Sequence, residues 1–106
     1  MHAVDLFDSV TIGGVPVDAV DWVGAFKGDV CVGARQWNCT SISGSCGIFV
    51  MGYDGSDLTA GYMLPGDIPT FMIYDVSADV YLDATASFQA PFQVGVITTI
   101  SSLSAN

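Results

Sequence analysis

The sequence contains no glutamate and only two basic residues, and these absences exclude several classes of protein. All eleven acidic residues of the 106-residue chain are aspartates, so the formal net charge is −9 and the isoelectric point is near 4.1. Proteins bind phosphate groups mainly through lysine and arginine, so the composition argues against a nucleic-acid partner. Aspartate favours turns and caps whereas glutamate suits helix interiors, so the missing glutamate also argues against a helical chain.

Long hydrophobic runs are missing as well. Hydrophobic residues make up 51% of the chain, yet no uninterrupted run approaches the roughly 18 residues of a membrane-spanning helix. No membrane insertion is therefore predicted. We expect the many hydrophobic residues to lie either in strands that are covered on both faces or on a surface that contacts a partner. Residues 1–106 suffice for one modest core and are predicted to form a single domain.

Histidine is almost absent, which weakens the case for catalysis. His2 is the only histidine, so a Ser-His-Asp or Cys-His arrangement has a single candidate base near a chain end. One histidine and three cysteines, with no two of them close in sequence, do not match the ligand spacing of a zinc site. Paired aspartates can hydrolyse glycosides, but this small chain offers no glutamate for the task. We therefore predict that the protein is not an enzyme.

The residues that are present indicate strands throughout. Valine, threonine, serine and glycine are abundant, no segment keeps a 3.6-residue period, and short apolar runs alternate with turn signals. We predict an all-β fold, a two-sheet antiparallel sandwich or jelly roll of about eight strands. The predicted strands lie at 3–12, 15–20, in both arms of a hairpin within 22–37, and at 47–51, 68–74, 80–86 and 92–100.

The segment from Trp22 to Trp37 is predicted to be a hairpin with Gly28-Asp29 as its two-residue loop. Counting back from that loop predicts this register: Lys27 with Val30, Phe26 with Cys31, Ala25 with Val32, Gly24 with Gly33, and Trp22 with Arg35. Because opposed residues share a face, one face becomes aliphatic core. The other face then carries aromatic rings, a basic side chain and a glycine floor, which indicates a docking platform.

Sugar rings lie on aromatic side chains while their hydroxyl groups need polar partners. We therefore predict a non-catalytic carbohydrate-binding module that docks a polysaccharide. Its predicted binding residues are Trp22, Arg35, Trp37, Tyr53 and Tyr62. The alternative for Trp22 is packing in the core with Arg35 stacked on it at the edge, and this alternative is favoured for Trp22. Trp37 has polar neighbours and is expected to be exposed.

Aspartates gather in and around the loop 52–67, and hard oxygen ligands suit Ca²⁺. The predicted ligands of a calcium ion are Asp54, Asp57, Asp67 and Asp75, with Asp79 as a further candidate near the strand ends. Their spacing is not that of an EF-hand. The favoured alternative is that Asp54 and Asp57 cap turns through side-chain to backbone hydrogen bonds.

The cysteines favour an oxidising compartment. Cys39 and Cys46 bracket a polar loop, and a disulfide between them would stabilise the fold by roughly 2.5 kcal/mol in the chain-entropy account. Cys31 is left over, and its strand position favours a buried, inert thiol, with an intermolecular bridge as the alternative. The first residues lack the features of a signal peptide, so we interpret the chain as an excised module or a mature form with an added Met.

Four strings of the sequence resemble a β-sandwich accessory module of large, multidomain, secreted bacterial proteins. They are 21–26 (DWVGAF), 28–37 (GDVCVGARQW), 61–63 (GYM) and 66–75 (GDIPTFMIYD). The resemblance covers about residues 6 to 103. It implies an extracellular or cell-surface location, including positions beside polysaccharide-degrading domains, and it carries no residue-level function. Similar sequences have Asp-Asp-Gly where this chain has Tyr53-Asp54-Gly55, which weakens the calcium prediction.

A second function from a different class stays open at this point. The module could be a structural or assembly unit of a bacterial surface adhesin or filament, because its apolar excess and unpaired strand edges suit self-association. Residues 1–12 are a candidate for strand exchange, since Gly13-Gly14 form a flexible joint. A large exposed apolar patch would favour this function, and an exposed aromatic groove would favour carbohydrate binding.

Overall fold

The computed structural model describes residues 2–38 and 46–106, which fold as an all-β chain, as predicted. The strands are β1 (His2–Ile12), β2 (Val15–Pro16), β3 (Trp22–Lys27), β4 (Val30–Gln36), β5 (Cys46–Met51), β6 (Thr70–Asp75), β7 (Val80–Ala86) and β8 (Ile97–Ala105). One turn of 3-10 helix covers Asp57–Thr59. Within the described ranges, no helix has the length and apolar character needed to cross a membrane.

The strands form one curled, mixed sheet that makes a half-barrel. Its strand order is β2-β1-β8-β7-β6-β3-β4, and β5 also pairs with β1. The pairing of β1 with β8 is parallel, whereas the other strand pairs are antiparallel. Because the first and last strands are hydrogen-bonded neighbours, the halves of the chain join in one continuous sheet. The predicted two-sheet sandwich is not confirmed.

The two ends of the curled sheet approach each other at β4 and β5. The Arg35 guanidinium donates a 2.9 Å hydrogen bond to the carbonyl oxygen of Gly47 across this gap. A Cβ atom on Gly33 would lie only 2.0 Å from the carbonyl oxygen of Phe49. A residue without a side chain is therefore required where β4 passes the backbone of β5.

The core fills the concave side of the sheet. Phe7 of β1 lies at its centre, with its ring edge-to-face against Phe71 at a centroid distance of 5.3 Å. Met63, from the loop after β5, and Phe92, from the segment before β8, are also buried in this core. Each fully buried side chain of this size contributes about 1.5–3 kcal/mol through the hydrophobic effect.

Most predicted strands are present, and the last one begins later than predicted. Residues 92–96 lie outside β8, because the Phe92 amide donates to the Asp67 carbonyl at 2.7 Å and the Gly95 amide donates to the His2 carbonyl at 2.9 Å. The second strand is reduced to Val15–Pro16, as expected where proline removes a backbone donor. β1 is flanked by β8 on one edge and by β5 and β2 on the other. Exchange of residues 1–12 would therefore break both sets of strand pairs.

The hairpin of β3 and β4 has the predicted loop but not the predicted register. Lys27 pairs with Val30 and Phe26 with Cys31 as expected, and then the register shifts by one residue. Beyond the shift, the observed pairs are Ala25 with Gly33, Gly24 with Ala34, Val23 with Arg35, and Trp22 with Gln36. Val32 is the extra residue. The prediction is wrong here because a β-bulge moves every later side chain of β4 to the opposite face.

Candidate binding groove

Three neighbouring strands carry a row of aromatic side chains on the outer, convex face of the sheet. Trp22 of β3 pairs with Tyr74 of β6, and Tyr74 pairs in turn with Tyr81 of β7. The Trp22 residue is 42% exposed and Tyr81 is 69% exposed. The Tyr74 and Tyr81 rings pack at a centroid distance of 4.6 Å and a tilt of 32°. The row is therefore an ordered aromatic surface that solvent can reach.

The next row along these strands has small residues at its centre. Gly24 pairs with Ala34 on one side and with Met72 on the other. A Cβ atom on Gly24 would lie 2.8 Å from Cε1 of Phe26, so the Phe26 ring leans over the glycine. The space above these residues is a cavity of about 470 Å³, which Trp22, Tyr74 and Tyr81 also line. The Phe26 ring thus occupies the place that a side chain at residue 24 would take, and it forms one wall of this cavity.

A second cavity continues the first towards the hairpin loop. Its volume is about 530 Å³, and it shares Phe26 and Met72 with the first cavity. Thr70, Asp29 and Asp83 line its polar part. We call the two cavities together the outer groove. One end of the outer groove is aromatic, and the other end offers carboxylate and hydroxyl groups.

Both basic side chains are engaged elsewhere. Lys27 forms a 2.9 Å ion pair with Asp67 and donates to the Tyr62 carbonyl at 3.3 Å, while Arg35 holds the carbonyl of Gly47. The hydrogen bond from Lys27 lowers the pKa of the Asp67 carboxyl below its usual value. Among the described residues that line the outer groove, none carries a positive charge.

The hydroxyl of Tyr74 is fixed by the turn that follows β6. It donates a short hydrogen bond to the carboxylate of Asp79, and this bond is the main reason why the pKa of Tyr74 is raised. Asp79 has a φ of 53°, a left-handed conformation that aspartate tolerates better than most residues. The ring of Tyr74 is thus held by its partner Tyr81 on the face and by Asp79 at the hydroxyl.

The start of β3 is fixed by a buried carboxylate that sequence reasoning did not single out. Asp21 accepts a 2.9 Å hydrogen bond from the Asp18 amide and a 3.0 Å hydrogen bond from the Val76 amide. Its backbone carbonyl accepts from the Trp37 amide at 2.7 Å. Asp21 therefore ties β3 to the end of β4 and to the turn after β6, directly beside Trp22.

The exposure of the two tryptophans is the reverse of what the sequence predicted. Trp22 is exposed in the outer groove rather than buried in the core. Trp37 is half-buried against the core, with its ring centroid 6.1 Å from that of Phe7. Arg35 pairs with Val23 instead of Trp22, so it neither stacks on Trp22 nor lines the outer groove. The bulge at Val32 explains the positions of Arg35 and Trp37, which follow it in the chain. Trp22 lies on β3 and is exposed because it alternates with the buried Val23.

The other predicted sugar-binding residues lie in a different place. Tyr53 and Tyr62 line a separate cavity of about 240 Å³ together with Lys27. The structure instead adds Tyr74 and Tyr81, which sequence reasoning missed, and keeps Phe26 of the predicted platform. Counting outward from the turn between β6 and β7 could have paired Tyr74 with Tyr81, but no local signal places either beside Trp22.

Three of the predicted calcium ligands, Asp54, Asp67 and Asp75, have other partners. Asp54 accepts hydrogen bonds from the Ser56 amide at 2.9 Å and from the Thr59 hydroxyl at 2.7 Å, which lower its pKa to about 2. Asp57 begins the 3-10 helix, and Asp75 accepts from the Ser77 hydroxyl at 2.8 Å. Across residues 2–38 and 46–106, no three His, Cys, Asp or Glu side chains converge as metal ligands do. Calcium binding stays a prediction.

Two of the three cysteines, Cys31 and Cys46, lie within the described residues. Cys31 is an exposed free thiol that lines the outer groove, so the expectation of a buried thiol is wrong. Its burial was inferred from strand position, but the outer face of β4 is open to solvent. Cys46 is buried at the start of β5. Cys39 lies outside the described residues, and the disulfide between Cys39 and Cys46 stays a prediction.

Comparison of the chain with known protein families, with curated proteins and with solved structures finds no match. The function is therefore argued from the chemistry of the outer groove itself.

Proposed function

We propose that this protein is a non-catalytic, extracellular carbohydrate-binding module that holds a polysaccharide in its outer groove. The observation that carries the proposal is the aromatic row of Trp22, Tyr74 and Tyr81 along a cavity that Gly24 and Phe26 also line. Sugar rings present flat C–H faces that pack on aromatic rings, and a recess next to such rings allows a ligand to be partly enclosed. Exposed aromatic rings without a recess would indicate only an apolar patch.

Polar groups at the other end of the outer groove suit sugar hydroxyl groups. Asp83 and Asp29 offer carboxylate oxygens that accept hydrogen bonds, and the Thr70 hydroxyl can both donate and accept. Thr70 is already placed by a 3.5 Å contact with the Phe26 carbonyl. The groove therefore combines stacking surfaces with hydrogen-bonding groups on adjacent rows of the same strands.

Two observations support a binding role rather than a catalytic one. The only histidine, His2, packs edge-to-face on Phe49 at 5.0 Å, and neither residue lines the outer groove. The aspartates of the groove are exposed to solvent, whereas catalytic carboxyl groups commonly act in sites that exclude water. The extracellular location rests on the acidic composition, the predicted disulfide and the resemblance of the sequence to secreted modules.

A pull-down on insoluble polysaccharides, supported by a glycan array, tests the proposal. The matched variants are Trp22→Ala, in the outer groove, and Phe49→Ala, an aromatic residue that is 59% exposed on β5 outside it. Loss of one stacking ring should weaken binding roughly tenfold or more. We expect that loss for Trp22→Ala and full retention for Phe49→Ala. Equal behaviour of the two variants, or no retention of the folded wild-type protein, would contradict the proposal.

The same assay, run once with added calcium and once with a chelator, tests the calcium prediction. A bound ion that the fold requires would raise the melting temperature, and the chelator would lower it. If the protein is retained on the polysaccharide equally with and without the chelator, and its melting temperature does not change, the calcium prediction is wrong. The outer groove would then bind the polysaccharide without a metal ion.

The alternative is a structural or assembly module, and one surface favours it. Val4 of β1 pairs with Phe49 of β5 and with Ile97 of β8, and the latter two are 59% and 65% exposed. These residues form an apolar row on the outer face, away from the outer groove. Self-association that Phe49→Ala abolishes, in a protein that retains no glycan, would establish this alternative.

A further inference from the structure

We infer that the outer groove selects an extended, uncharged glycan chain over an acidic one; the inference rests on the proposed carbohydrate-binding function. Two independent features of the groove carry it: the sign of its charges and the length that its two adjoining cavities cover.

The charges of the groove disfavour an anionic ligand. Asp29 and Asp83 line its polar end, while Lys27 and Arg35 are bound to groups elsewhere. A uronate or sulfate group placed beside these aspartates meets like charges within the screening length of about 8 Å at physiological salt. The net charge of −9 adds a repulsive field around the whole molecule.

Hydrogen bonding also favours an uncharged ligand over an anionic one. An ionised carboxylate accepts hydrogen bonds and has none to donate, so the groove aspartates need donors on the ligand. The hydroxyl groups of a neutral sugar supply such donors. The carboxylate of an acidic sugar supplies none, and it would leave its own lone pairs facing those of Asp83 or Asp29.

The length of the groove indicates a chain rather than a single sugar. The two cavities adjoin, because Phe26 and Met72 line both of them. From Trp22 to Gly28 the path follows six residues of β3, which corresponds to roughly 20 Å of strand. A ligand that stacks on Trp22 and also reaches Asp29 in the hairpin loop therefore has several rings. A disaccharide occupies only one of the two cavities.

The test uses pairs of probes that differ only in the charge at C6. Suitable pairs are β-1,4-mannan and β-1,4-mannuronate, β-1,4-glucan and β-1,4-glucuronate, and α-1,4-galactan and α-1,4-galacturonate, each as oligosaccharides of two to six rings. Calorimetric titration of the intact protein at low and at physiological salt should show binding of at least one neutral series. Affinity should rise up to about four rings. The acidic partner should bind at least tenfold more weakly, and most weakly at low salt.

A charge-neutralised variant separates electrostatic selection from shape selection. In Asp29→Asn/Asp83→Asn the ratio of acidic to neutral affinity should rise about tenfold at low salt, because two like charges have been removed. Asp57→Asn, an exposed aspartate outside the outer groove, is the control and should leave the ratio unchanged.

The possible negative results distinguish the charge selection, the length of the groove and the proposed function from one another. An acidic series that binds as tightly as its neutral partner, or a ratio that the double variant does not change, overturns the charge selection while carbohydrate binding stands. Equal affinity for two and for four rings overturns the continuous groove. If neither the neutral nor the acidic series binds, and no polysaccharide is retained in the pull-down, the proposed function itself fails.

Discussion

The two faces of the β3–β4 hairpin use the same kind of residue for different purposes. On the outer face, Trp22 is exposed beside the cavity that Gly24 lines. On the inner side, Trp37 packs against the core near Phe7. Both tryptophans flank one short hairpin, and counting from the loop assigns them to one face. The bulge at Val32 separates them, so a single extra residue decides which ring meets solvent and which ring supports the fold.

This difference shows how a small sheet obtains a binding surface. A core face must be filled, so its glycines are tolerated only where backbones meet, as at Gly33. On the outer face, the missing side chain of Gly24 lets the Phe26 ring lean over the strand and form a wall of the cavity beside Trp22. The function of a residue on this hairpin therefore depends on its face more than on its type.

The sharpest way to test the comparison is to remove each tryptophan in turn. Trp37→Ala should lower the free energy of unfolding by about 3 kcal/mol, because it leaves a void against the core. Trp22→Ala should lower it by less, about 1–2 kcal/mol, since Trp22 is 42% exposed and has less covered surface to lose. Urea denaturation of both variants measures the two values. Equal losses would mean that the two rings are not divided between core and surface.

A buried charge on the inner face offers a test by pH. Asp5 points inward with Ala3 and Phe7, and burial raises its pKa to about 6 from 3.8. Between these values the folded state binds more protons than the unfolded state, so the free energy of unfolding falls as the pH rises through this window. The full effect is about 3 kcal/mol.

The matched variants are Asp5→Asn and, on the exposed face of β7, Asp83→Asn. Unfolding measured from pH 4 to pH 7 should lose its downward slope in Asp5→Asn and keep it in Asp83→Asn. Because the amide carries no charge at any pH, Asp5→Asn should also be more stable than the wild-type protein at pH 7. A slope that persists in Asp5→Asn would show that Asp5 is not its source.

The two glycines of the hairpin give the smallest expected difference. Gly33→Ala places a Cβ 2.0 Å from the backbone carbonyl of Phe49, so the strands must separate, and stability should fall by about 2 kcal/mol. Gly24→Ala meets only the end of the Phe26 ring, which can rotate away, so stability should fall by less than about 1 kcal/mol. Thermal unfolding compares the two variants. If Gly24→Ala costs as much as Gly33→Ala, the Phe26 ring is fixed more firmly than its position on the surface suggests.

Sequence reasoning was most successful where the signal was local. The strands around residues 47–51 and 80–86 and the Gly28-Asp29 loop follow from short-range patterns, and the structure confirms them. The favoured alternative for Asp54, a turn cap, is also observed, because an aspartate two residues before an amide donor forms such a cap by itself. The aromatic row was missed because Trp22, Tyr74 and Tyr81 belong to three strands that are far apart in sequence.

The sequence by itself determined that the chain is rich in strands, strongly acidic and supplied with exposed turns, because composition and alternation act over a few residues. Only the tertiary structure decided that the first and last strands pair in parallel, that β4 has a bulge, and that Phe92 covers the core instead of extending β8. The parallel pairing and the position of Phe92 depend on contacts between distant parts of the chain, and the bulge lies where Gly33 meets the backbone of Phe49. The outer groove is a product of those contacts, since its walls come from β3, β4, β6 and β7 and meet only when the sheet is complete.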